Sequence, residues 1–326
     1  MDSEEGRVVR GVVQITKDSE RVTDADEEVF ILYSDLQAGA KTENDIFRGL
    51  GHVDSRQDTM TLAFELKVPT SDADSKAPKS SRNRKVKNTG KDLDKTVQIE
   101  LAQDKTALRT RKGDTGSVVW KASIDFAQLV LQQIHFQNPD SLLIPSILET
   151  QHVVELGAGT GLLAIAFAPH VRHYTVTDIP ALVPLLRKNV LSNFPGRADR
   201  ISNTPPFAGS KISVEELDWV ALASTPSAQR TRLTGHIAPA DLILIVDCIY
   251  HPSLLPPLVE TLQHLAVPEK TVVLVVVELR AVDVVREFLE LWIAEAEWEI
   301  WRLDKAGGLG RPYAVWVGWK SASHPE

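Results

Sequence analysis

Glu155-Leu156-Gly157-Ala158-Gly159-Thr160-Gly161 stands where a predicted strand, 152–156, meets a predicted helix, 160–168. Glycines suit this junction because a tight turn needs unrestricted backbone torsions, and a ligand that lies against the chain leaves no room for Cβ atoms. The amides that open the helix favour a polar or anionic ligand group. The Gly-x-Gly-x-Gly spacing differs from the Gly-x-Gly-x-x-Gly of dinucleotide enzymes. We interpret the turn as a cofactor-binding loop, with a tight turn that binds nothing as the alternative.

Strands and helices alternate through the chain around this loop. Hydrophobic periodicity predicts strands at 174–177, 241–246 and 271–277, and helices at 181–191, 253–265 and 281–294. The nearly pure valine strand at 271–277 is typical of burial on both faces. Residues 298–303 and 313–319 alternate and predict a closing antiparallel pair. The fold class is therefore α/β, a doubly wound Rossmann-like sheet with an antiparallel end, and such sheets bind ligands at the carboxyl ends of their strands.

The sequence ahead of this region divides into two parts. Residues 1–69 form an N-terminal extension with short strands predicted at 8–15, 28–33 and 59–66. Residues 70–95 carry hardly any apolar side chain, and we interpret them as a flexible basic linker or insertion because burial could not offset their ordering entropy. Residues 96–326 then form the α/β domain.

Charge is unevenly distributed over the chain. The 326 residues include 36 Lys and Arg against 44 Asp and Glu, a net charge of −8. The segment 76–91 carries seven basic and no acidic residues, so the remainder carries −15. An acidic body is a poor general binder of nucleic acid and suits a basic protein substrate. We interpret the basic segment as a solvated loop, and a nuclear-localisation or RNA-contacting patch stays open as the alternative.

Composition excludes several classes of protein. Apolar runs such as 272–277 are far short of the roughly 18 residues that span a bilayer, and no apolar segment typical of a secretory signal follows the acidic start. Cys248 is the only cysteine, which excludes an intrachain disulfide and a cysteine-based zinc site. We expect a monomeric cytoplasmic protein, with the nucleus as a second location, that has no metal and no membrane partner.

A carboxylate ends the second strand of the α/β domain. Asp178 could accept two hydrogen bonds from ribose hydroxyls, as acidic residues at this place do in other nucleoside-binding sheets. It also precedes Ile179-Pro180, and Pro is favoured in the first helical turn, so a helix N-cap is the alternative. The two roles are compatible, and the glycine loop favours the ribose role.

An acid and an aromatic residue follow the third strand of the domain, which is predicted between residues 207 and 216. In Glu216-Leu217-Asp218-Trp219, Asp218 would offer a hydrogen-bond acceptor and Trp219 a flat face to an adenine. A partly buried core Trp is an equally good interpretation by residue type alone.

A second Trp precedes the first predicted helix of the domain, 124–134. It belongs to Gly116-Ser117-Val118-Val119-Trp120-Lys121-Ala122. Lying between a strand-like stretch and a helix, Trp120 could cover a pocket. Taken alone, a Trp at such a place belongs more often to the core.

The fourth strand ends in Val246-Asp247-Cys248-Ile249-Tyr250-His251. Asp247 would face the reaction centre where the strand order switches, with Tyr250 three residues on. A helix cap and a surface phenol are the alternative. We interpret Cys248 as a small filler, because no cationic neighbour is evident that would stabilise a thiolate. His251, beside Pro252 in a turn, is a weak candidate for a base.

These motifs together resemble those of the S-adenosylmethionine-dependent methyltransferases that have a seven-stranded sheet. The Gly116 to Trp120 stretch and the Asp-x-x-Tyr motif at Asp247 resemble the protein-lysine methyltransferase branch. The long N-terminal part and Arg311-Pro312-Tyr313-Ala314-Val315-Trp316 are similar to the fungal ribosomal lysine methyltransferases. The resemblance covers about residues 97–320. It implies S-adenosylmethionine as the cofactor and, as the substrate, a lysine of a protein, specifically a large-subunit ribosomal protein.

The resemblance also implies a role for individual residues. The loop 157–159 would hold the amino-acid part of the cofactor, Asp178 its ribose, and Trp219 would lie against its adenine. Asp247 would orient the lysine amine, and Tyr250 would wall its channel. The predicted cofactor site comprises Trp120, Glu155, Gly157, Ala158, Gly159, Gly161, Asp178, Asp218, Trp219 and Val246.

Three other functions stay open at this point. An NAD(P)-dependent oxidoreductase would share the sheet, but the glycine spacing and the antiparallel end argue against it. A non-catalytic cofactor-binding module is disfavoured by the intact loop, Asp178 and Asp247. A methyltransferase of RNA, of a small molecule or of another protein is kept open by the basic segment 76–91. Asn203-Thr204-Pro205-Pro206-Phe207 carries an extra Thr, so we do not interpret it as the Asn-Pro-Pro-Phe motif of amino-group and glutamine methyltransferases.

Overall fold

The computed structural model describes residues 8–39, 51, 53, 57–68, 93–104, 115–194 and 211–322. The basic segment 76–91, nearly all of the predicted linker and the stretch 203–207 lie outside the described residues. Within the described ranges, no helix is long and apolar enough to cross a membrane. The same ranges contain no group of three or more His, Cys, Asp or Glu side chains arranged to hold a metal ion.

Strands alternate with helices through most of the described chain. The strands are β1 (Val8–Arg10), β2 (Val13–Ile15), β3 (Glu20–Arg21), β4 (Thr59–Leu66), β5 (Lys95–Ala102), β6 (His152–Leu156), β7 (His173–Asp178), β8 (Ile212–Glu216), β9 (Leu242–Val246), β10 (Val272–Glu278), β11 (Trp298–Arg302) and β12 (Tyr313–Lys320). The helices are α1 (Ala25–Gly39), α2 (Lys121–His135), α3 (Pro145–Leu148), α4 (Leu162–Phe167), α5 (Val183–Asn193), α6 (Trp219–Ser224), α7 (Ser227–Thr234), α8 (Leu255–Leu265) and α9 (Val282–Ile293).

The central sheet has the strand order β3-β11-β12-β10-β9-β6-β7-β8. Strands β10, β9, β6, β7 and β8 pair in parallel, and β12 is antiparallel to both β10 and β11. The predicted doubly wound sheet with an antiparallel end is confirmed. Among the described residues, seven of its strands follow residue 96, and the short β3 of the N-terminal extension adds an eighth by pairing Arg21 with Trp301.

The two faces of the sheet bury alternate side chains of the same strands. All seven residues of β10 are buried, as predicted for the valine-rich strand. Helices α2, α4 and α5 contribute to the apolar cluster on one face, and α1, α8 and α9 to the cluster on the other. The first face receives Val272, Leu274 and Val276 of β10, and the second receives Val273, Val275 and Val277.

The N-terminal extension contains a helix where a strand is predicted. Residues 28–33 belong to α1, so the strand prediction is wrong. The β-branched and aromatic content suggested a strand, but Val29, Leu32, Tyr33 and Leu36 recur at helical spacing and pack on the second apolar cluster. Packing of this face on the second apolar cluster outweighs the local strand preference.

The other two predicted N-terminal strands have different outcomes. The segment 8–15 is a hairpin of β1 and β2, not one strand, and it turns near Gly11, whose φ is +56°. The strand predicted at 59–66 is confirmed as β4, which pairs antiparallel with β5 across the linker. The domain boundaries at 69 and 95 stay predictions.

Candidate active site

A cavity of ≈ 790 Å³ lies at the carboxyl ends of β6, β7, β8 and β9. The chain runs from β6 to β7 and β8 on one side and places β9 on the other, so the strand order switches here, where open α/β sheets bind ligands. The structure brings all the predicted site residues except Gly161 to this cavity. They are Trp120, Glu155, Gly157, Ala158, Gly159, Asp178, Asp218, Trp219, Val246, Asp247 and Tyr250.

The turn after β6 presents bare backbone to the cavity. Gly157 and Gly159 have φ values of +69° and +57°, which residues with a side chain rarely adopt. A Cβ on Gly157 would lie 2.7 Å from Cys248 Sγ, and one on Gly159 would lie 2.9 Å from the carbonyl oxygen of Gly116. Since neither position has room for a side chain, the turn is a close-fitting cradle, as the sequence predicts.

Gly161 belongs to the packing of the helix and not to the cavity. It is the N-cap residue of α4, with a φ of +79°. A Cβ there would lie 3.0 Å from Leu186 Cδ2 in α5. The glycine therefore allows α4 to begin close against α5, and the structure does not bring it to the predicted cofactor site.

Glu155 places an acidic side chain in the cavity wall from within β6. The residue is 4% exposed, and its Oε2 accepts a 2.8 Å hydrogen bond from the Tyr174 hydroxyl. Burial raises the pKa of Glu155 to about 8; the Tyr174 bond opposes this rise, and the negative charge of Asp178 adds to it. The carboxyl is therefore mostly neutral at pH 7, and a cationic group beside it would favour its ionised form.

Asp178 ends β7 and ties the glycine turn to the neighbouring strand. Its Oδ2 accepts a 2.8 Å hydrogen bond from the Gly159 N–H, and its Oδ1 accepts a 2.7 Å bond from the Ile179 N–H. Helix α5 begins only at Val183, so the N-cap alternative is wrong. Both bonds hold the carboxylate at the cavity, where its ribose-binding role stays a prediction.

Asp218 and Trp219 lie at the start of α6 and form one wall of the cavity. Asp218 is the N-cap: its Oδ1 accepts hydrogen bonds from Val220 N–H at 2.9 Å and from Ala221 N–H at 3.1 Å. The cap places the Trp219 ring beside the glycine turn, 3.2 Å from the point where a Gly157 Cβ would lie. Trp219 Nε1 is buried without a hydrogen-bond partner among the described residues, although a buried indole N–H usually has one. An unpaired donor at this wall fits a ligand with an acceptor atom.

Asp247 follows β9 in a conformation that is rare for a residue with a side chain. Its φ is +59°, and its N–H donates to the Val276 carbonyl oxygen at 2.8 Å. Arg280 Nη1 donates to Asp247 Oδ1 at 2.9 Å, and Arg280 Nη2 donates to Oδ2 at 2.7 Å. Sequence reasoning missed Arg280, because it follows the next strand and no motif links it to Asp247.

The residues after Asp247 complete this side of the cavity. Tyr250 is 37% exposed, so its phenol forms part of the outer wall. Cys248 is buried, its Sγ lies 3.3 Å from the Leu156 carbonyl oxygen, and burial raises the pKa of its thiol well above the ordinary value. The prediction that Cys248 is a filler is confirmed. His251 lines the cavity, and its Nδ1 accepts a 3.3 Å hydrogen bond from the Ser253 N–H.

Trp120 covers part of the cavity just ahead of α2. Its Nε1 donates to the Thr115 carbonyl oxygen at 2.8 Å, and Arg280 Cζ lies 5.6 Å from its ring centroid, within the range of a cation–π contact. The ring is half-buried and lines the cavity. The structure therefore favours the pocket role over a role in the core.

Several lining residues carry no signal in the sequence. Apolar side chains such as Ile179 and Leu182, and small polar ones such as Ser123, have types found anywhere in a domain. For Ile179 and Leu182 the only signal that could have found them is their place directly after β7.

The fold and the cavity together define a class of protein. A doubly wound sheet that joins a glycine turn to an acid on the next strand is built for a cofactor that contains a nucleoside. The residues present fit S-adenosylmethionine: the cradle excludes any Cβ, Glu155 favours a cationic neighbour, and Trp219 offers an unpaired N–H.

Comparison with known proteins identifies the family. Residues 102–292 match the model of the lysine methyltransferase family. Because the match covers more than half of the chain, the protein belongs to this family. The predicted cofactor, S-adenosylmethionine, is confirmed by this membership.

Individual relatives differ in their names and in how much of their length they share with this chain. The ribosomal lysine N-methyltransferase 5 of Eremothecium gossypii is 26% identical over 281 residues, which cover 75% of this chain and 86% of that protein. The protein of the same name from Candida glabrata is 27% identical over 328 residues, covering 85% and 92%. A Schizosaccharomyces pombe protein named diaminohydroxyphosphoribosylamino-pyrimidine deaminase is 31% identical over 169 residues, 52% of this chain but only 35% of its own length. The predicted resemblance to the fungal ribosomal lysine methyltransferases is confirmed.

Proposed function

We propose that the protein transfers a methyl group from S-adenosylmethionine to a lysine of a ribosomal protein, one of the large subunit. The observation that carries this proposal is that the glycine turn, Asp178 and Trp219 line the same cavity as Asp247 and Tyr250. The relatives named ribosomal lysine N-methyltransferase 5 match most of the chain and support this class of substrate. A net charge of −8 suits a basic protein partner.

The cofactor half of the cavity has one group of residues for each part of the ligand. When bound, S-adenosylmethionine supplies a methyl group carried on a sulfonium. The backbone of the glycine turn and the Glu155 carboxyl would hold its amino-acid part, and Asp178 would hold its ribose. Trp219 would lie against its adenine, with Asp218 acting as the cap that fixes the Trp219 ring.

The acceptor half of the cavity lies at the end of β9. Asp247 would orient the lysine amine, and Tyr250 would wall the channel through which the side chain reaches the cofactor. The amine attacks only when neutral, and partial desolvation beside a cation lowers the pKa of a lysine. Holding the reacting groups in line is the main contribution that these side chains make to the rate.

The test is methyl transfer from radiolabelled S-adenosylmethionine to the ribosomal fraction of cells that lack this protein, with and without ribonuclease. We expect one or a few protein bands that survive ribonuclease, and mass spectrometry of the band names the lysine. Asp247→Asn keeps the shape of the side chain but alters its charge and its bonds to Arg280, so we expect the rate to fall by about 100-fold. Asp18→Asn, at an exposed turn, is the matched control.

The other outcomes of this test separate the competing functions. Label that ribonuclease removes would make RNA the substrate. Binding of S-adenosylmethionine without any labelled product would favour a non-catalytic module. A normal rate in the Asp247→Asn protein would remove this acid from the site.

Cofactor binding is expected to release a proton near pH 7. The Glu155 carboxyl, whose pKa is about 8, is mostly protonated in the free protein. An ammonium group placed beside it favours the carboxylate, so up to about one proton should leave for each cofactor bound. Titration calorimetry in buffers of different ionisation enthalpy measures this number. If Glu155→Gln releases as many protons as the wild type, the amino-acid part of the cofactor does not lie at Glu155.

We further propose that the protein acts as a monomer in the cytoplasm, with the nucleus as a second location, and without binding nucleic acid. A ribosomal substrate is met in both compartments, and the acidic net charge supports the absence of nucleic-acid binding. Sedimentation of the purified protein and microscopy of the tagged protein test the two statements.

A further inference from the structure

A cluster of three charged side chains lies behind the acceptor wall of the cavity. The side chains of Asp247 and Glu278 are each 3% exposed, and that of Arg280 is 25% exposed. Arg280 Nη2 lies 2.7 Å from Asp247 Oδ2 and 2.7 Å from Glu278 Oε2. Asp247 lines the cavity, whereas Glu278 and Arg280 do not. Arg280 therefore holds Asp247 from outside the lining of the cavity.

Two further groups pack against the guanidinium of Arg280, whose Nε has no hydrogen-bond partner among the described residues. Its Cζ stands 5.6 Å from the Trp120 ring centroid. A Cβ on Gly51 would lie 2.2 Å from Arg280 Nη2, so the backbone of the N-terminal extension packs directly on the guanidinium. The Gly51 carbonyl oxygen also accepts a 2.8 Å hydrogen bond from the N–H of Lys121, the residue after Trp120. One side chain thus joins the acceptor acid, a wall of the cofactor site and the N-terminal extension.

The geometry at Asp247 requires a planar, two-pronged partner. Two parallel N–H···O bonds fix both the position and the plane of the carboxylate, which a single ammonium cannot do. The φ of +59° at Asp247 is a torsion that persists only where the surroundings impose it. Glu278 shares the guanidinium, so the cluster carries two negative charges against one positive charge and attracts a cation at its open side.

We infer that Arg280 is a positioning residue for methyl transfer: its guanidinium holds the Asp247 carboxylate and the Trp120 ring in the arrangement that receives the acceptor lysine. The inference rests on the proposed function and adds a residue to it. Arg280 acts through Asp247 and Trp120, because it does not itself line the cavity.

The first test compares Arg280→Lys and Arg280→Ala with Arg286→Ala. Arg286 lies in the same region of the chain, on α9, and forms exposed ion pairs with Asp26 and Glu290, so it is a matched control. We expect kcat to fall by about 10- to 100-fold in both Arg280 variants, while the Kd of S-adenosylmethionine changes far less. Lysine keeps the charge but not the two-pronged geometry, so a low kcat in Arg280→Lys separates positioning from charge. Arg286→Ala should keep the wild-type kcat.

The second test asks whether free methylguanidinium can occupy the space that the Arg280 side chain leaves in Arg280→Ala. Methylguanidinium, at constant ionic strength, should bind Arg280→Ala saturably, raise its melting temperature and restore part of its turnover. The double variant Arg280→Ala/Asp247→Asn should show none of these responses, because the two-pronged acceptor is gone. A role in folding alone would not produce a saturable recovery of kcat.

The outcomes separate this inference from the proposed function. A wild-type protein that labels no protein substrate would overturn the proposed function and this inference with it. A wild type that labels its substrate while Arg280→Lys does so at the same kcat would overturn this inference alone. Failure of methylguanidinium to bind or to restore turnover in a folded Arg280→Ala protein would also overturn it.

Discussion

The Glu155→Gln protein is expected to gain stability relative to the wild type as the pH rises from about 4.5 to 8, by about 5 kcal/mol in total. Burial raises the pKa of Glu155 to about 8 in the folded chain, against an ordinary value of 4.5. Between these two values the folded protein binds a proton that the unfolded chain does not bind. Rising pH therefore lowers the free energy of unfolding of the wild type by about 1.4 kcal/mol per pH unit, and glutamine, which does not titrate, removes this loss.

Denaturant unfolding of both proteins at several pH values from 4 to about 9 measures this difference. Glutamine keeps an oxygen that can accept the hydrogen bond from the Tyr174 hydroxyl. At low pH, the difference in free energy of unfolding between the two proteins therefore reports the cost of burying an amide in place of a carboxylic acid. The change with pH reports ionisation of Glu155. Glu149→Gln, at an exposed glutamate after α3, is the matched control. If the difference between Glu155→Gln and the wild type is the same at every pH, the carboxyl is not held neutral by burial.

Alanine at Gly159 is expected to weaken the binding of S-adenosylmethionine by about 100-fold, or about 3 kcal/mol. The added Cβ would lie 2.9 Å from the carbonyl oxygen of Gly116, a backbone atom that cannot rotate away. Either the glycine turn or the Gly116 loop must move, and both line the cavity. The Gly159 N–H also donates to Asp178 Oδ2 at 2.8 Å. The same movement therefore displaces Asp178, the residue predicted to bind the ribose. Overpacking and a left-handed torsion each cost about 1–3 kcal/mol.

Gly310→Ala is the matched control for this substitution. Gly310 has a φ of +68°, close to the +57° of Gly159, but a Cβ there would meet no atom within 4 Å. Both variants therefore share the torsional strain, and only Gly159→Ala adds a contact at the cavity. Calorimetry gives the affinity for S-adenosylmethionine, and thermal unfolding checks that both proteins are folded. Equal affinities in the two variants would show that the turn is not the cofactor cradle.

Much of the candidate site could be predicted without coordinates because it depends on strand ends. Glu155, Asp178, Asp218 and Asp247 are far apart in sequence, but each stands at or near the carboxyl end of a predicted parallel strand. Parallel strands of one sheet bring their carboxyl ends to the same edge. Knowing that each of the four residues stands at such a strand end was therefore enough to place them in one cavity.

Other parts of the site depended on contacts that have no local signature. The two-pronged bond between Arg280 and Asp247 joins the loops after two different strands, and Gly51 reaches it from the N-terminal extension. Gly161 was predicted to lie at the cofactor site because it shares a motif with Gly157. It packs against α5 instead. A motif specifies which residue types stand near each other in sequence and not which neighbour each one meets.

The sequence by itself determined the class of fold and the cofactor loop, because periodicity and glycine spacing are local properties that parallel-sheet topology converts into one edge. The family followed from the resemblance of the sequence motifs to those of the protein-lysine methyltransferases. The tertiary structure decided that residues 28–33 are helical, since Val29, Leu32 and Tyr33 pack on the second apolar cluster at helical spacing. It also decided that Asp247 is held by Arg280, and that Glu155 is buried deeply enough to keep its proton at pH 7. These three features depend on contacts between segments that are distant in sequence. Burial of those contacts strengthens their electrostatic interactions, and burial is known only once the chain is folded.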